Sequence, residues 1–266
     1  MEISARNLCF SYGDTDVLKN INLDFEKGKF YSILGPNGCG KTTLLDLFIR
    51  HLEPQSGIIL LKNKNLSDFS RRDIAKNIAL VSQDYSINFP FTVKEAVMMG
   101  RHPYISRFSN PCTEDTRIVE EVMEVTEIAS FKNRKITELS GGERQRCVFA
   151  RALCQDTPLL LLDEAFSSMD ISHSLALLDI VKNEINTKDK IIISVFHDIN
   201  FASLWSDYLI FMKNGKIAVS GKTADVMTEE ILMDVFHVES KVEFNRYAEA
   251  KQVYFKTGPH KFDKLS

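Results

Sequence analysis

The stretch that decides the fold reads Gly35-Pro36-Asn37-Gly38-Cys39-Gly40-Lys41-Thr42-Thr43. It follows the apolar run Phe30–Leu34 and leads into a helical pattern of leucines, which predicts a strand, a glycine loop and a helix. Such a loop turns backbone N–H groups inward around a polyphosphate, and the positive dipole end of the following helix faces the same anion. We therefore expect residues 35–43, called here the glycine loop, to bind the phosphates of a nucleotide.

Two side chains of the glycine loop have chemistry of their own. Lys41 can reach the β- and γ-phosphates as a mobile positive charge, and the Thr42 hydroxyl is placed to ligate Mg²⁺. The alternative, a flexible strand-to-helix turn without a ligand, is disfavoured by the strand before the loop and the helix after it.

Length and composition set the limits for the rest of the chain. The 266 residues suit one large α/β unit or a core with a small subdomain, and the net charge of −3 provides no basic field that would attract nucleic acid. The five cysteines contain no CxxC pair, which favours reduced thiols in a cytosolic setting. No apolar stretch approaches the roughly 18 to 20 residues that span a bilayer, and the N-terminus does not resemble a signal peptide.

The hydrophobic periodicity predicts an alternation of strands and helices. The predicted strands are Ile3–Tyr12, Val17–Phe25, Phe30–Leu34, Gly57–Lys62, Ile78–Ser82, Leu159–Leu162, Ile191–Val195, Tyr208–Met212 and Lys216–Gly221. The predicted helices include Asp68–Asn77, Thr92–Gly100, Thr113–Ala129, Ile171–Ile185, Asn200–Trp205 and Glu229–Phe236. The first two strands are expected to pair antiparallel, and residues 84–138 are expected to form a helical insertion. The pattern predicts no structure for the tail, residues 241–266.

A second anion site is indicated at Leu139-Ser140-Gly141-Gly142-Glu143, which opens another helix. The Ser140 hydroxyl and the uncovered N–H groups of Gly141 and Gly142 converge where the helix dipole is positive. Read alone, however, Ser140 and Glu143 form a capping box, and both interpretations stay open.

Acidic residues follow the apolar run Leu159–Leu162, which is typical of a central parallel strand. Carboxylates in this position are costly unless they meet a cation or take part in a reaction. Asp163 is therefore expected to hold Mg²⁺, and Glu164 to accept a proton from an attacking water.

Two aromatic residues complete the candidate set. Tyr12 precedes the glycine loop and could stack on an adenine base or simply cover the core at a strand edge. His197 follows the strand Ile191–Val195 and could hydrogen-bond a γ-phosphate if that strand lies beside Glu164, or it could be structural. The other histidines, among them His173, form no pattern that indicates a site.

Taken in order, these residues resemble the nucleotide-binding subunit of an ATP-binding cassette (ABC) transporter over residues 1–240. The resemblance depends on Tyr12, the glycine loop, Gln83, Leu139–Glu143, Leu159–Glu164, Asp170 and His197. It implies a P-loop NTPase core of the α/β class, with a mainly parallel sheet, an N-terminal antiparallel β subdomain and a helical insertion subdomain.

The resemblance also implies roles for individual residues. Tyr12 would contact adenine, Gln83 would serve Mg²⁺ together with Thr42, and His197 would be the switch histidine. Residues Ser140–Gly142 would bind the γ-phosphate of an ATP held by a second protomer. The same arrangement follows from geometry, because two copies placed head to tail satisfy two separate anion sites with two-fold symmetry.

Departures from the family pattern occur in two places. Cys39 replaces the usual Ser, which should be neutral because the backbone binds the phosphate. The family usually has Pro-Thr-Ser-Ala-Leu-Asp after the glutamate, whereas this chain has Ala165-Phe166-Ser167-Ser168-Met169-Asp170. The bulkier Phe166 and Met169 are expected to change communication across a dimer.

Two further segments are similar to importers of ferric siderophores, haem and cobalamin: Phe91–Tyr104, from Phe91-Thr92-Val93 through Gly100–Tyr104, and Ser194–Ala202. This similarity implies two membrane permease chains, an extracytoplasmic substrate-binding protein and a peripheral location at the cytoplasmic face of the membrane. Residues Gln83–Tyr104 would dock on the permease. The alternatives are a transporter ATPase for another substrate, a soluble ATPase of this fold acting in translation or DNA repair, and a nucleotide-binding regulator without hydrolysis.

Overall fold

A computed structural model describes residues 2–82, 89–167 and 169–256. The strands are β1 (Ile3–Tyr12), β2 (Thr15–Phe25), β3 (Phe30–Leu34), β4 (Ser56–Leu61), β5 (Lys64–Asn65), β6 (Ile78–Val81), β7 (Leu159–Asp163), β8 (Ile191–Val195), β9 (Tyr208–Lys213), β10 (Lys216–Lys222), β11 (Ser240–Asn245) and β12 (Ala250–Phe255). The helices are α1 (Lys41–Phe48), α2 (Arg71–Ala75), α3 (Val93–Met98), α4 (Thr113–Val125), α5 (Gly141–Cys154), α6 (Ile171–Lys188), α7 (Ile199–Trp205), α8 (Thr223–Val226) and α9 (Glu229–Phe236).

The central sheet has the strand order β10-β9-β3-β8-β7-β6 and is parallel except for the β9–β10 hairpin. Every residue of β3, β7 and β8 is buried, as expected for parallel strands covered on both faces. The register pairs Ile33 with Val195 and Val195 with Asp163. The carboxyl ends of these three strands therefore meet at one edge of the sheet, and the loops that follow them converge there.

An antiparallel sheet of order β2-β1-β4-β5 covers one face of the central sheet. The predicted pairing of the first two strands is confirmed, with a register from Ile3 opposite Phe25 to Tyr12 opposite Thr15. The two sheets enclose a hydrophobic cluster that includes Phe25, Leu44 and Phe48. Helix α1 thus lies inside the core, which fixes the glycine loop at its start. The α/β fold class with its antiparallel N-terminal sheet is confirmed.

Helix α5 separates two further hydrophobic clusters. Val148, Phe149 and Leu153 pack into the cluster on the other face of the central sheet. Cys147 and Cys154 belong to a third cluster with residues of α3 and α4. Gly100 allows this close packing, since a Cβ atom there would lie 2.2 Å from the Arg151 carbonyl oxygen. The helical segment after β6 is therefore joined to the sheet through one shared helix.

Two predicted helices are shorter than expected. The helix predicted at Asp68–Asn77 begins only at Arg71, because the Ser70 hydroxyl accepts the Asp73 N–H and caps it. The helix predicted at Thr113–Ala129 ends at Val125, where the chain turns through a left-handed residue, Glu127, with φ of 56°. Within the described ranges, every helix is too short or too polar to cross a membrane.

The C-terminal hairpin of β11 and β12 has no counterpart in the sequence prediction. Its strands pair from Ser240 opposite Phe255 to Asn245 opposite Ala250. Asn200 of α7 donates to the Val253 carbonyl oxygen (3.2 Å) and accepts the Val253 N–H (2.6 Å). The buried Val253 side chain joins the cluster that contains Phe149. The hairpin is therefore an extension of the core and packs on the helix that follows His197.

At the edge of the sheet opposite the converging loops lies an ion cluster around Lys190. The Lys190 side chain is 5% exposed, and its Nζ atom lies 2.6 Å from Glu184 and 3.1 Å from Asp156. Lys188 makes a second ion pair with Asp156, also at 3.1 Å. Burial alone would raise the pKa of Asp156, but the two ammonium groups outweigh it and the pKa lies below its ordinary value.

We expect Lys190→Met to lower the free energy of unfolding by about 1–2 kcal/mol at pH 7, because it removes the buried ammonium group that contacts both Asp156 and Glu184. A carboxyl group whose pKa is lower in the folded than in the unfolded protein stabilises the fold at pH values above its unfolded pKa. This stabilisation is lost as the pH falls through the pKa of the folded protein. The difference in the free energy of unfolding between wild type and Lys190→Met should therefore become smaller below about pH 4. Urea unfolding at several pH values measures it.

Lys188→Met provides the matched control, since it removes a cation from the same Asp156 at an exposed position. Its cost should not exceed about 1 kcal/mol. Equal costs for the two variants, or a difference from wild type that grows on acidification, would contradict this account of the cluster.

Candidate functional site

The glycine loop connects β3 to α1 at the carboxyl edge of the sheet. Gly40 is the N-cap of α1 with φ of 101°, a conformation that favours glycine. A Cβ atom at this position would also lie 2.6 Å from Leu18 Cδ2. The cap contributes no side-chain hydrogen bond to the first turn of α1, so backbone N–H groups of that turn are available to an anion.

Lys41 is buried at the start of α1. Its Nζ atom donates to the carbonyl oxygens of Gly35 (2.9 Å) and Pro36 (3.1 Å). The ammonium group is thus held inside the glycine loop, beside the helix start. Cys39 is also buried, and this burial raises the pKa of its thiol, so the residue adds no charge to the loop.

A cavity of about 570 Å³ brings together most of the predicted nucleotide-binding residues. Its lining residues come from β1, β2, the glycine loop with the start of α1, and the segments after β7 and β8. They are Tyr12, Val17, Asn37, Gly38, Gly40, Lys41, Thr42, Thr43, Glu164 and His197. The Tyr12 side chain is 52% exposed and contacts Phe10 edge to face at 4.8 Å, which leaves its ring accessible from the cavity.

Asp163 is the last residue of β7 and is 4% exposed. Burial raises the pKa of its carboxyl group, although the Thr42 hydroxyl donates a hydrogen bond to it. The Oδ1 atom has no hydrogen-bond partner among the residues that the structure describes. A buried carboxylate with an unsatisfied oxygen beside a threonine hydroxyl is a donor set of the kind that Mg²⁺ prefers. Asp163 and Thr42 therefore fit the predicted metal.

Glu164 and His197 are adjacent, as the parallel pairing of β7 with β8 predicts. His197 Nε2 hydrogen-bonds Glu164 Oε1. Glu164 has φ of 50°, unusual for a residue with a side chain, and Ser167 holds this turn through its N–H and hydroxyl, which both donate to the Glu164 carbonyl oxygen (3.1 and 2.9 Å). The glutamate carboxylate is thereby directed from the strand end toward the glycine loop and His197.

Ser140 caps α5 with the capping box that the sequence left open as one interpretation. Its hydroxyl oxygen accepts the Glu143 N–H (3.3 Å), and the Glu143 carboxylate accepts the Ser140 N–H (2.8 Å). This cap uses the hydroxyl as an acceptor, so its proton can still be donated to a ligand. A Cβ atom at Gly141 would meet nothing within 4 Å. The capping box and an anion site are therefore compatible.

Within one chain the two predicted anion sites are separate. Ser140 and Gly142 line a second cavity of about 260 Å³, which shares no lining residue with the cavity at the glycine loop. Gln83, the remaining predicted Mg²⁺ residue, lies outside the described residues. The structure therefore brings together Tyr12, the glycine loop, Asp163, Glu164 and His197, and it places Ser140–Gly142 elsewhere.

The sequence analysis missed a polar pair beside the second cavity. Asp170 caps α6 by accepting the His173 N–H (2.9 Å), and its other carboxylate oxygen contacts His173 Nδ1 (2.8 Å). The pKa of Asp170 is lowered to about 2, mostly by the hydrogen bond from the His173 backbone N–H and next by the hydrogen bond with the His173 imidazole. The available signal was an aspartate three residues before a histidine at a predicted helix start.

Comparisons with known proteins agree with this geometry. A protein-family model described as "ABC transporter" matches residues 18–167. The iron(3+)-hydroxamate import ATP-binding protein FhuC of Bacillus subtilis is 37% identical over 90% of this chain and 89% of its own length. The hemin import ATP-binding protein HmuV of Bradyrhizobium diazoefficiens is 35% identical over 90% of both chains. The cobalamin import ATP-binding protein BtuD of Halobacterium salinarum is 34% identical over 89% of this chain and 59% of its own length.

Solved structures show the same fold. A structure described as an inward-facing conformation of a metal-chelate type ABC transporter superposes with a TM-score of 0.82 at 27% identity, covering 96% of both chains. The dimeric structure of MJ0796, a bacterial ABC transporter cassette, has a TM-score of 0.74 at 28% identity and covers 83% of this chain and 98% of that one. A post-hydrolysis dimer of the same cassette is bound to ADP and Pi.

We expect Asp163→Asn to have opposite effects on the nucleotide-free and the loaded protein. A raised carboxyl pKa means that the charged form destabilises the fold as the pH rises above the ordinary value near 4. Without nucleotide at pH 7.5, the neutral amide should therefore raise Tm by about 2–4 °C. The additional Tm increase that MgATP gives over ATP with EDTA should be lost. Differential scanning fluorimetry measures both.

The exposed Asp179 on α6 provides the control, because Asp179→Asn removes the same charge far from Thr42. It should leave both Tm values within about 1 °C of wild type. A metal-dependent Tm increase that survives in Asp163→Asn would remove this carboxylate from the magnesium site.

Proposed function

The chain belongs to the ABC transporter family as an ATP-hydrolysing cassette, and we propose that two copies drive uptake of an iron complex, haem or cobalamin through membrane permeases. The observation that carries this proposal is the convergence of the glycine loop, Glu164 and His197 on one cavity, where Thr42 hydrogen-bonds Asp163. Ser140 and Gly142 line a separate cavity. The import names of the relatives FhuC, HmuV and BtuD support the cargo class.

In the proposed site, the glycine loop holds the triphosphate through its backbone N–H groups. Lys41 exchanges its bonds to the Gly35 and Pro36 carbonyl oxygens for bonds to phosphate oxygens, while the exposed Tyr12 ring stacks on adenine. Thr42, Asp163 and Gln83 would hold Mg²⁺, which would neutralise charge on the phosphate oxygens.

Hydrolysis in this proposal depends on Glu164. Its carboxylate accepts a hydrogen bond from the attacking water and takes its proton, which is worth about 10²–10⁴ in rate. His197 contacts this carboxylate, so the imidazole can orient the base and donate to the γ-phosphate from the same position. Loss of that phosphate would remove the γ-phosphate hydrogen bond of His197 and leave Glu164 as the partner of the imidazole.

The site is completed by a second copy. Ser140–Gly142 of one protomer would bind the γ-phosphate held by the glycine loop of its partner, because the two anion sites of one chain lie in different cavities. Two-fold symmetry then gives two complete sites at one interface. ATP favours the closed dimer and its hydrolysis favours the open one, which supplies the free-energy difference that drives transport.

The proposed complex places this chain at the cytoplasmic face of the membrane as a peripheral subunit. Its partners would be two permease chains and, indirectly, an extracytoplasmic substrate-binding protein. We propose that residues 1–240 are the ATPase domain, that 84–138 form its helical subdomain, and that 83–104 contact the permease. In that last range Phe89 is exposed, whereas Arg101 is buried against Asp115 at 3.0 Å and fixes the segment from within.

A soluble ATPase acting in translation or DNA repair is not favoured, because the relatives named above are import subunits. A regulator that does not hydrolyse ATP is also disfavoured, since the structure brings Lys41, Asp163, Glu164 and His197 to one edge of the sheet. Transport of a cargo outside the iron, haem and cobalamin group is the remaining alternative.

We expect Glu164→Gln to lower kcat for ATP hydrolysis by at least about 10²-fold while ATP binding persists, because an amide can hydrogen-bond the water but cannot take its proton. ATP should then hold the variant as a stable dimer. Phosphate release and analytical ultracentrifugation with and without MgATP measure the two effects. Glu53→Gln, at an exposed position, should match wild type.

A second substitution in the same background tests the shared site. Gly141→Asp adds a side chain where the single chain has open space, and an acid in the first turn suits the helix dipole. The monomer should keep its Tm and its ATP affinity, but the dimer should not form. Dimerisation of Glu164→Gln that is unaffected by Gly141→Asp would place the Ser140–Gly142 segment outside the interface.

The cargo is tested in cells that lack this chain and are complemented with wild type or Glu164→Gln. Uptake of one of three labelled cargoes, a ⁵⁵Fe-hydroxamate, haem or ⁵⁷Co-cobalamin, should require the wild-type chain and fall to background with the variant. If uptake of none of the three cargoes depended on the chain, the cargo proposal would be overturned. The assignment of the chain as an ATPase would not be affected.

A further inference from the structure

We propose that Phe166 is a positioning residue, whose ring links the start of α5 to His197 through a buried aromatic stack. The proposal rests on the function proposed above and adds a route by which the two nucleotide sites of a dimer affect each other. The aromatic stack has no role in the binding and hydrolysis of ATP as proposed above.

The central contact of the stack is between Phe166 and Phe196. Their ring centroids lie 5.7 Å apart with an interplanar angle of 12°, and the two side chains are 8% and 5% exposed. Phe196 directly precedes His197, so a movement of its ring also moves the backbone that carries the imidazole. Phe166 in turn lies two residues after Glu164. The stack therefore braces the two segments whose side chains meet in the Glu164–His197 hydrogen bond.

On one side the stack reaches α5. Phe149 of α5 is fully buried, and its ring centroid lies 6.2 Å from that of Phe166. A second connection runs alongside, because Gln145 Nε2 donates to the Ala165 carbonyl oxygen at 3.1 Å. Helix α5 begins at the Ser140–Gly142 segment, so two contacts tie that segment's helix to the loop after Glu164.

On the other side the stack reaches the strand that ends at the glycine loop. Phe196 lies 6.2 Å from Phe30 of β3 at an interplanar angle of 26°. The order Phe149, Phe166, Phe196, Phe30 thus runs from the helix that would contact the partner's nucleotide to the strand that positions the chain's own. Rigid, packed rings transmit small displacements because a close-packed core is not easily compressed.

A cavity of about 230 Å³ beside the stack shows why the ring matters. It is lined by Phe166, Met169, Phe196, His197 and neighbouring residues. The His197 segment therefore borders open space, and the Phe166 ring supports it through the stack with Phe196. A shorter side chain would let Phe196 and His197 shift, and misplacement of a reacting group by about 1 Å can cost 10²-fold in rate.

The test compares Phe166→Leu with Phe25→Leu, which removes a fully buried ring of β2 that packs against Tyr31 and Phe48 in the other hydrophobic cluster. Phe166→Leu should lower kcat roughly ten- to hundred-fold with KM for ATP within about two-fold, whereas Phe25→Leu should lower Tm alone. Phe166→Tyr keeps the ring, and the cavity has room for the added hydroxyl group. Its kcat should therefore be close to that of wild type. If both leucine variants lowered kcat to the same extent with KM nearly unchanged, the proposal would be overturned.

A second readout needs neither ATP nor a dimer. In the nucleotide-free chain, the ¹⁵N resonance of His197 Nε2 should shift in Phe166→Leu and stay in place in Phe25→Leu. An unshifted resonance would overturn the proposal even if the shared-site dimer proves correct. Conversely, a wild-type chain without ATP-dependent dimerisation would contradict the proposed function and leave this measurement valid.

A double-mutant cycle tests whether the connection extends to α5. The effects of Phe166→Leu and Phe149→Leu on kcat should be non-additive, with the double variant close to the more impaired single one. The double variant of Phe166→Leu with Phe25→Leu should keep the kcat of Phe166→Leu, because Phe25→Leu leaves kcat unchanged. If the effects of Phe166→Leu and Phe149→Leu on kcat multiplied, the stack would end at Phe166 and would not connect the two sites.

Discussion

The parallel register of β3, β7 and β8 is the constraint on which the site depends. Because Ile33, Val195 and Asp163 lie side by side, the three segments that follow these strands leave the sheet at the same edge. Those segments carry the phosphate-binding loop, the acidic pair and His197. None of them is close to another along the chain, so the site exists only once the central sheet has formed. The antiparallel sheet and α1 stabilise this edge indirectly, by burying the helix at whose start the glycine loop is held.

The buried charged groups at this edge, Asp163 and Lys41, favour the binding of a charged ligand. Asp163 is buried with one oxygen unsatisfied among the described residues, and Lys41 is bonded to carbonyl oxygens of its own loop. Burial of the Asp163 carboxylate costs free energy, as its raised pKa indicates. A nucleotide with its metal would satisfy Asp163 and Lys41 together, which is a reason to expect ATP and Mg²⁺ to bind together.

Local patterns in the sequence predicted those parts of the fold that local physics determines. The strands Phe30–Leu34 and Ile191–Val195 and the helix Glu229–Phe236 have the predicted bounds, since apolar runs and caps mark their ends. The shortened helices at Arg71 and Val125 reflect caps and turns that periodicity alone does not resolve. The C-terminal hairpin was not predicted because its stability comes from contacts with Asn200 and Ser203, which are about fifty residues away. The same applies to the pair of Phe166 with Phe196, which only the strand order brings together.

The packing of α5 on both sides suits the anion site proposed at its start. One face of the helix joins the cluster on the central sheet, and the other joins the helices that follow β6. A segment that binds a phosphate outside its own chain must be presented on a rigid element, because a flexible one would lose binding free energy to ordering. With both faces buried, α5 can move only together with its neighbours, Phe149 and Gln145 included. In the proposed dimer, a displacement of Ser140 by the partner's nucleotide would therefore reach the loop after Glu164 through these contacts.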